Sequence, residues 1–399
     1  MEKKTFLDNE TWRYFWHPVC SVAELDASDK GRGALLKTTL LGVELVVAKT
    51  SSGVVAFNNR CPHRSAKLSL GWVKDDAIQC PYHGWTYGAK DGMCVAIPAA
   101  PNGPIPPNAQ ATKYDCEVRY DLVWVRLDGS ADTSIPGHLV FDDPEFKCVL
   151  GPSYIWKTHS ARRVENYVDL AHFPFVHPET LGSSGFNTFL APNIDFENEG
   201  TLRFRYVPAE GSRKAVDSKG NLAALAFSDY RIRAPFGVTV DLTLENGSRT
   251  VLWVWATPID DENFLEIGWL IESEEMKFDQ AMIEKLHFGM MDDRPFAERQ
   301  MAPGDYDAQV SQGPIHNHGR EHLGVSDRGV TMFRRMLRAG IDDVRNGKDP
   351  KGLNRAEGEV IATHTQNAVF KLGEPGASET LKDQLRNAGR RVAAGEFRC

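Results

Sequence analysis

The sequence predicts an α+β protein in two parts: an all-β N-terminal domain over residues 1–130, and a C-terminal domain over 153–399 with helices around an antiparallel sheet. Three observations carry this. Short β-branched runs crowd the first third of the chain. A hairpin signature occupies 238–256. From Phe278 onward the apolar residues recur at helical spacing.

In the first part, "VELVVAK" (43–49) and "GVVAFNNR" (53–60) are strand-like and are split by Ser51-Ser52-Gly53, a hairpin turn. Two further runs, "MCVAIPAAP" and "YDLVWVRLD", extend the β character. The segment "GSADTSIPGHLVFDDPEFKCVLGP" is rich in proline and glycine, so 131–152 reads as a loop-like connection. Beyond it, "TLRFRYVP" (201–208) puts Leu202, Phe204 and Tyr206 on one face. In "VTVDLTLENGSRTVLWVWA", Val238, Val240, Leu242 and Leu244 share a face, Asn246-Gly247 supplies the turn, and "VLWVW" returns. "FLEIGWLIE" is a third strand. The helical patterns are "MIEKLHFGMM", "GVTMFRRMLRAGIDDV" and "ETLKDQLRNAGRRVAA". Candidate pocket positions on these strands are Phe227, Tyr230, Val240, Trp253 and Trp255, since alternation defines faces without saying which face meets a site.

The composition is that of a globular protein, with 42% hydrophobic and 25% charged residues. A net charge of −8 argues against nucleic acid or an anionic membrane as partner. The most basic stretch, "FRRMLRAGIDDVRNGK" (333–348), is diluted by Asp342 and Asp343 and reads as a solvated helix face. No window approaches the ~18 apolar residues of a membrane span, and the N-terminus lacks the apolar run of a secretory signal. Seven scattered cysteines fit a reducing compartment, so a cytoplasmic protein is expected.

Chemistry first shows in "CPHRSAKLSLGWVKDDAIQCPYHGWTY" (61–87). Cys61, His63, Cys80 and His83 form two tight pairs, C-x-H and C-x-x-H, each following a strand-like run. Zinc is one candidate, because Cys₂His₂ is a common zinc set. Zinc fingers, however, pair like with like, whereas here each loop supplies one cysteine and one histidine. That mixing suits a [2Fe–2S] cluster with two cysteines on one iron and two histidines on the other. "CPHR" and "CPYHGWTY" resemble the Rieske signature. Rieske proteins of respiratory complexes carry an extra cysteine in each loop. Here Tyr82 stands between the second pair and no cysteine closely follows His63.

A second constellation lies in "RRVENYVDLAHFPFVHPETLG" (162–182). Asp169 and His172, three apart, share a helix face. His172 and His177 would diverge by roughly 140° on a regular helix, and Pro174 between them kinks or ends it. Alone, this pair also fits two histidines in local hydrogen bonds.

Behind Rieske loops, D-x-x-H-x₄-H resembles the Rieske non-haem iron oxygenases, and the likeness spans most of the chain. The runs "YFWHPVCSVAEL", "CPHRSAKLSLG" and "ENYVDLAHFPFVHPETL" are similar to the phthalate-oxygenase-like branch, in particular methylxanthine N-demethylases. The resemblance implies a Rieske [2Fe–2S] domain followed by a helix-grip-like catalytic domain. It implies that His172 and His177 bind a mononuclear Fe(II) and that a downstream carboxylate completes a facial triad, leaving positions open for O₂ and substrate. Asp305, eight residues before Gly313 in "DYDAQVSQGP", fits the family's register, and Asp293 is the second choice. Asp169 is implied to link a cluster histidine of one subunit to an iron histidine of its neighbour, hence a head-to-tail homotrimer. His316, His318 and His322 match no family ligand and are assigned to the surface or a helix start. The chain has no dinucleotide fingerprint and no plant-type ferredoxin cysteines, so NAD(P)H acts only through a separate reductase or ferredoxin. The expected reaction is monooxygenation of an aromatic or heteroaromatic substrate, as N- or O-demethylation or methyl hydroxylation. The alternatives are ring cis-dihydroxylation and a non-catalytic electron carrier.

Overall fold

A computed structural model describes residues 10–130, 134–144, 146–176, 194–198, 200–206, 214–216, 222–245, 249–273, 295–301, 303–315 and 318–353. Its first sheet is antiparallel, in the order His17–Ser21, Leu122–Arg126, Lys113–Arg119, Gly53–Asn58, Val43–Thr50, Leu35–Leu40. The expected hairpin is present, with Thr50 opposite Gly53. Its strands are apolar on both faces and both faces are used. Val46, Ala48, Val55 and Phe57 pack toward a small four-stranded sheet (Trp72–Lys74, Ala77–Gln79, Thr86–Gly88, Cys94–Ala96). Leu45, Val47 and Ala56 pack the other way, into the core shared with the C-terminal region.

The second sheet runs Phe146–Leu150, Phe264–Ser273, Arg249–Pro258, Gly237–Leu244, Leu222–Arg233, Thr201–Tyr206, Asp195–Asn198. The strands predicted around 238–256 and at "FLEIGWLIE" are its centre; the Asn246-Gly247 turn lies outside the described residues. One expectation needs correcting. The segment read as a connection contributes an edge strand, Phe146–Leu150, paired with Phe264–Ser273. Proline flanks it at Pro144 and Pro152, which disguises so short a strand as loop.

Alternation divides the sheet's side chains. Phe204, Tyr230, Val238 and Val240 face the helix Ser160–Val168, sharing a core with its Val164, Tyr167 and Val168. Trp253, Trp255 and Trp269 face the opposite way and meet Leu122 and Trp124 of the N-terminal sheet, with Trp16 just before its first strand. Trp253 and Trp269 stack at 4.8 Å, and Trp124 meets Trp255 edge-on at 5.3 Å. Backbone bonds Leu41 N to Pro258 O (2.9 Å) and Gly42 N to Ile259 O (2.8 Å) join the two sheets directly.

The helix Arg328–Arg345 follows its predicted stripe through Val330, Phe333 and Met336. Gly329 lets it lie against Ser160–Val168, since a Cβ there would sit 2.6 Å from Val168 O. Its basic face is not wholly solvated: Arg334 turns inward and ion-pairs with Glu165 and Glu321. The helices expected at "MIEKLHFGMM" and "ETLKDQLRNAGRRVAA" lie outside the described residues. Among the described residues, no helix is long and apolar enough to cross a membrane.

Candidate metal centres

The two cluster loops repeat one backbone design. Ser65 N donates to Cys61 O and Cys61 N to Ala66 O, both at 2.8 Å. In the second loop Gly84 N donates to Cys80 O at 3.1 Å and Cys80 N to Trp85 O at 2.8 Å. The residue four places after each cysteine is left-handed, with φ of 59° at Ser65 and 73° at Gly84. Each loop thus closes on its own amides and presents one sulfur and one imidazole. Cys61 and Cys80 are buried. The His63 and His83 rings lie 4.8 Å apart, and Trp85 stacks on His63 at 4.2 Å.

Loss of hydration and the neighbouring His83 and Arg64 lower the pKa of His63, favouring the neutral imidazole that binds metal. Tyr87 lies 3.1 Å from Cys61 Sγ. Burial pushes its phenol up, so it stays protonated, and to a Cys61 thiolate it would donate, a bond that raises a cluster's potential. The donor set fits a Rieske cluster: two thiols, two imidazoles, and a buried His83 Nδ1 that has no hydrogen-bond partner.

The second site is built at the end of the helix Ser160–Val168. His159 caps its start by accepting from Ala161 N at 3.1 Å. The helix ends earlier than the sequence suggested. Asp169 is extended (φ −113°, ψ 94°), so Asp169 and His172 do not share one regular helix face. Instead Asp169 Oδ1 accepts from Ala171 N at 2.9 Å and caps a short 3₁₀ turn, Leu170–His172. Pro174 sits inside the next short helix, Phe173–Val176, in a first turn where its missing N–H costs nothing. The break comes from the aspartate's side-chain bond, which competes with helical hydrogen bonding.

His172 Nδ1 is held by the Asp169 carbonyl, so that nitrogen carries the proton and Nε2 is left with the lone pair a metal could take. Nε2 lies 3.4 Å from Asp305 Oδ1. Asn166 Nδ2 sits within 3.3 Å of His172 Nε2 and 3.2 Å of Asp305 Oδ1. Asp305 opens the helix Gly304–Val310, after a glycine at φ 64°. Such a pair, one imidazole and one carboxylate converging on a point, suits a divalent iron. His177, Asp293 and His316 lie outside the described residues. Asp169 is half-buried; burial raises its carboxyl pKa, while His172 and the Ala171 N–H pull it down. His318 is exposed beside Arg338 and is distant in role from this pair.

Among the described residues no three His, Cys, Asp or Glu converge on a single ion. A two-iron cluster spreads its four ligands over two ions, and the third expected iron ligand, His177, is not described. Sequence reading missed Arg163, Asn166 and Glu266. Arg163 and Asn166 recur at helical spacing before His172, which is a signal, whereas Glu266 on a distant strand left none. Of the five pocket candidates, Tyr230 and Val240 lie on the face toward the helix Ser160–Val168. Trp253 and Trp255 form the junction with the N-terminal sheet, and Phe227 lies on their side of the sheet under Arg205.

Residues 15–114 match the Rieske [2Fe–2S] domain, and 156–343 match the vanillate O-demethylase oxygenase C-terminal domain. The sequence is 37% identical to methylxanthine N3-demethylase NdmB of Pseudomonas putida over 309 residues, 75% of this chain and 83% of that relative. The chain is a Rieske non-haem iron oxygenase. This oxygenase is also 36% identical to methylxanthine N1-demethylase NdmA of the same species, over 83% of its own length and 90% of the relative's. Its structure superposes on NdmA with caffeine at a TM-score of 0.73 and 34% identity, covering 84% of this chain and 93% of that one. Dicamba monooxygenase shares the fold at a TM-score of 0.64 with 19% identity. A Rieske oxygenase is an oxidoreductase that uses O₂, a [2Fe–2S] cluster and a mononuclear iron, and it takes electrons from a separate reductase.

Proposed function

We propose that this oxygenase removes a methyl group from a nitrogen, or secondarily an oxygen, of a planar heteroaromatic substrate. The observation that carries the reading is the joint sequence and structural likeness to two methylxanthine N-demethylases over three quarters or more of the chain. The face of the second sheet toward the helix Ser160–Val168 supports it. Phe204 and Tyr230 stack there at 4.5 Å beside Val240, an apolar aromatic wall suited to a flat ring.

In this reading His172, His177 and Asp305 hold the mononuclear Fe(II), and Cys61, His63, Cys80 and His83 hold the cluster. Bound there, the two metal centres supply O₂ activation and electron delivery. One oxygen atom enters the methyl group, the hydroxymethyl product releases formaldehyde, and the other oxygen leaves as water with two electrons and two protons. Asp169, half-buried in the 169–172 turn, would link His172 to a cluster histidine of a neighbouring chain in a cytoplasmic homotrimer, its carbonyl holding His172 Nδ1 and its carboxylate accepting from the neighbour's histidine. Asp169→Asn is then expected to keep both metals and lose turnover.

The deciding experiment supplies the purified protein, a generic reductase, NADH and ¹⁸O₂ with a panel of N-methylated heterocycles, methoxyaromatics and aromatic acids. Formaldehyde with one labelled oxygen supports demethylation. A cis-diol carrying two labelled oxygens overturns it in favour of ring dihydroxylation, the second reading, to which a 27% identical phenoxybenzoate dioxygenase subunit points.

A further inference from the structure

We propose that Arg163, backed by Glu266, is a positioning residue that leaves Asp305 only its Oδ1 with which to hold the mononuclear iron. The inference rests on the reading of Asp305 as a ligand.

Arg163 is 1% exposed and lies between two rings, with its guanidinium carbon 4.7 Å from Trp156 and 4.6 Å from Tyr167. Each of its five N–H groups has an acceptor. Nε donates to Glu266 Oε2 at 2.5 Å, and Nη2 to Glu266 Oε1 at 3.4 Å and to Tyr167 at 2.9 Å. Nη1 donates to Asn166 Oδ1 at 3.2 Å and to Asp305 Oδ2 at 3.3 Å. The guanidinium plane is therefore fully determined by its surroundings.

This divides the Asp305 carboxylate. Oδ2 faces Arg163, while Oδ1 faces His172 Nε2 and Asn166 Nδ2. The same Arg163 nitrogen takes the Asn166 carbonyl, which turns the Asn166 amide nitrogen toward Oδ1 and Nε2. A carboxylate binding through both oxygens would occupy two positions around the metal. Restricting it to one leaves a further position for O₂ or substrate. Glu266 has its own purpose: with a buried Asp305 and no second carboxylate, Arg163 would be free to tilt wholly onto Asp305. With Glu266 taking two of its N–H groups, the arginine reaches Asp305 through one. A lysine at 163 could not make these contacts, because an ammonium is a point charge with three donors.

The test uses the holoenzyme in five forms: Arg163→Gln, Arg163→Lys, Glu266→Gln, the double variant Arg163→Gln/Glu266→Gln, and Asp305→Ala. The double variant removes Arg163 and Glu266 as a pair and leaves Asp305 its contacts with Asn166 and His172, so it is expected to fold where a single variant that strands Glu266 or Arg163 fails. Two readouts are taken apart from turnover: Fe(II) affinity by chelator competition, and the EPR line shape of the mononuclear iron with nitric oxide as probe. We expect the double variant to bind Fe(II) roughly 10–100-fold more weakly with an altered nitrosyl line shape, and Arg163→Lys to rescue neither. Wild-type affinity and line shape in the double variant would overturn the inference. If Asp305→Ala loses iron in that same experiment, the ligand reading stands without it. If Asp305→Ala binds iron as the wild type does, the ligand reading falls and takes this inference with it.

Discussion

The candidate cluster residues come from one short stretch, with the Cys61 sulfur meeting Tyr87 only 26 residues away, whereas the candidate iron site joins Arg163 to Glu266 across 103 residues and to Asp305 across 142. The first region is held by backbone bonds within each loop and by two left-handed residues. The second is held by buried charges on a helix, a strand and a second helix. Local loops tolerate change elsewhere in the chain. A buried charge network stabilises only when complete, because removing one member strands the others without water.

That contrast is open to direct attack. The largest effect is expected from Asp305→Ala: turnover falls by at least ~1,000-fold on the scale of losing a metal's Lewis acidity, the mononuclear iron disappears, and the visible spectrum of the cluster is untouched. Metal analysis beside the absorption spectrum checks it, and loss of both metals would show that the regions are not independent. Cys80→Ser is the mirror experiment. The cluster spectrum is expected to vanish while Fe(II) still binds at the second site, as read by nitric-oxide EPR.

The junction between the regions carries the next effect. Burial holds the His17 pKa down at about 4 and that of His138 at about 3, the latter also depressed by Arg231, Arg233 and Arg249. Both lie below the unfolded value of about 6.5. The unfolded chain therefore binds more protons below pH 6.5, and stability falls as pH drops from there toward about 4. The slope approaches about 1.4 kcal/mol per pH unit for each histidine. Chemical denaturation at pH 7.0, 6.0 and 5.0 measures it; a flat profile would mean that neither histidine is buried at the junction in solution.

The smallest effects separate the two cluster loops from each other. Gly84→Ala places a Cβ at positive φ and 2.8 Å from Pro98 Cγ, and is expected to cost about 1–2 kcal/mol. Ser65→Gly relieves the same conformation in the other loop and is expected to gain less than about 1 kcal/mol. Thermal melts of the two variants give opposite signs if the loops share one backbone design.

Much of this protein could be read from its residues in order. The hairpin at 43–58, the three central strands of the second sheet and the helix over 328–345 follow from alternation and periodicity. The spacing of Cys61, His63, Cys80 and His83 reads as a cluster motif, and two local turns bring those residues together. The spacing of Asp169 and His172 is equally local, although the helix they were expected to share ends at Val168.

What the order of residues alone determined was therefore the set of local elements and the family, through its two candidate metal motifs. Tertiary structure decided three other things. It turned Trp253 and Trp255 to the domain junction and Tyr230 and Val240 to the side of the helix Ser160–Val168, because both faces of that sheet are buried and alternation cannot tell them apart. It drew Arg334 inward to Glu165 and Glu321 from a stripe that reads as solvated. And it set Glu266 behind Arg163 and Arg163 behind Asp305. A buried charge is stable only beside its partner, and partners more than a hundred residues apart meet only when the fold has closed around them.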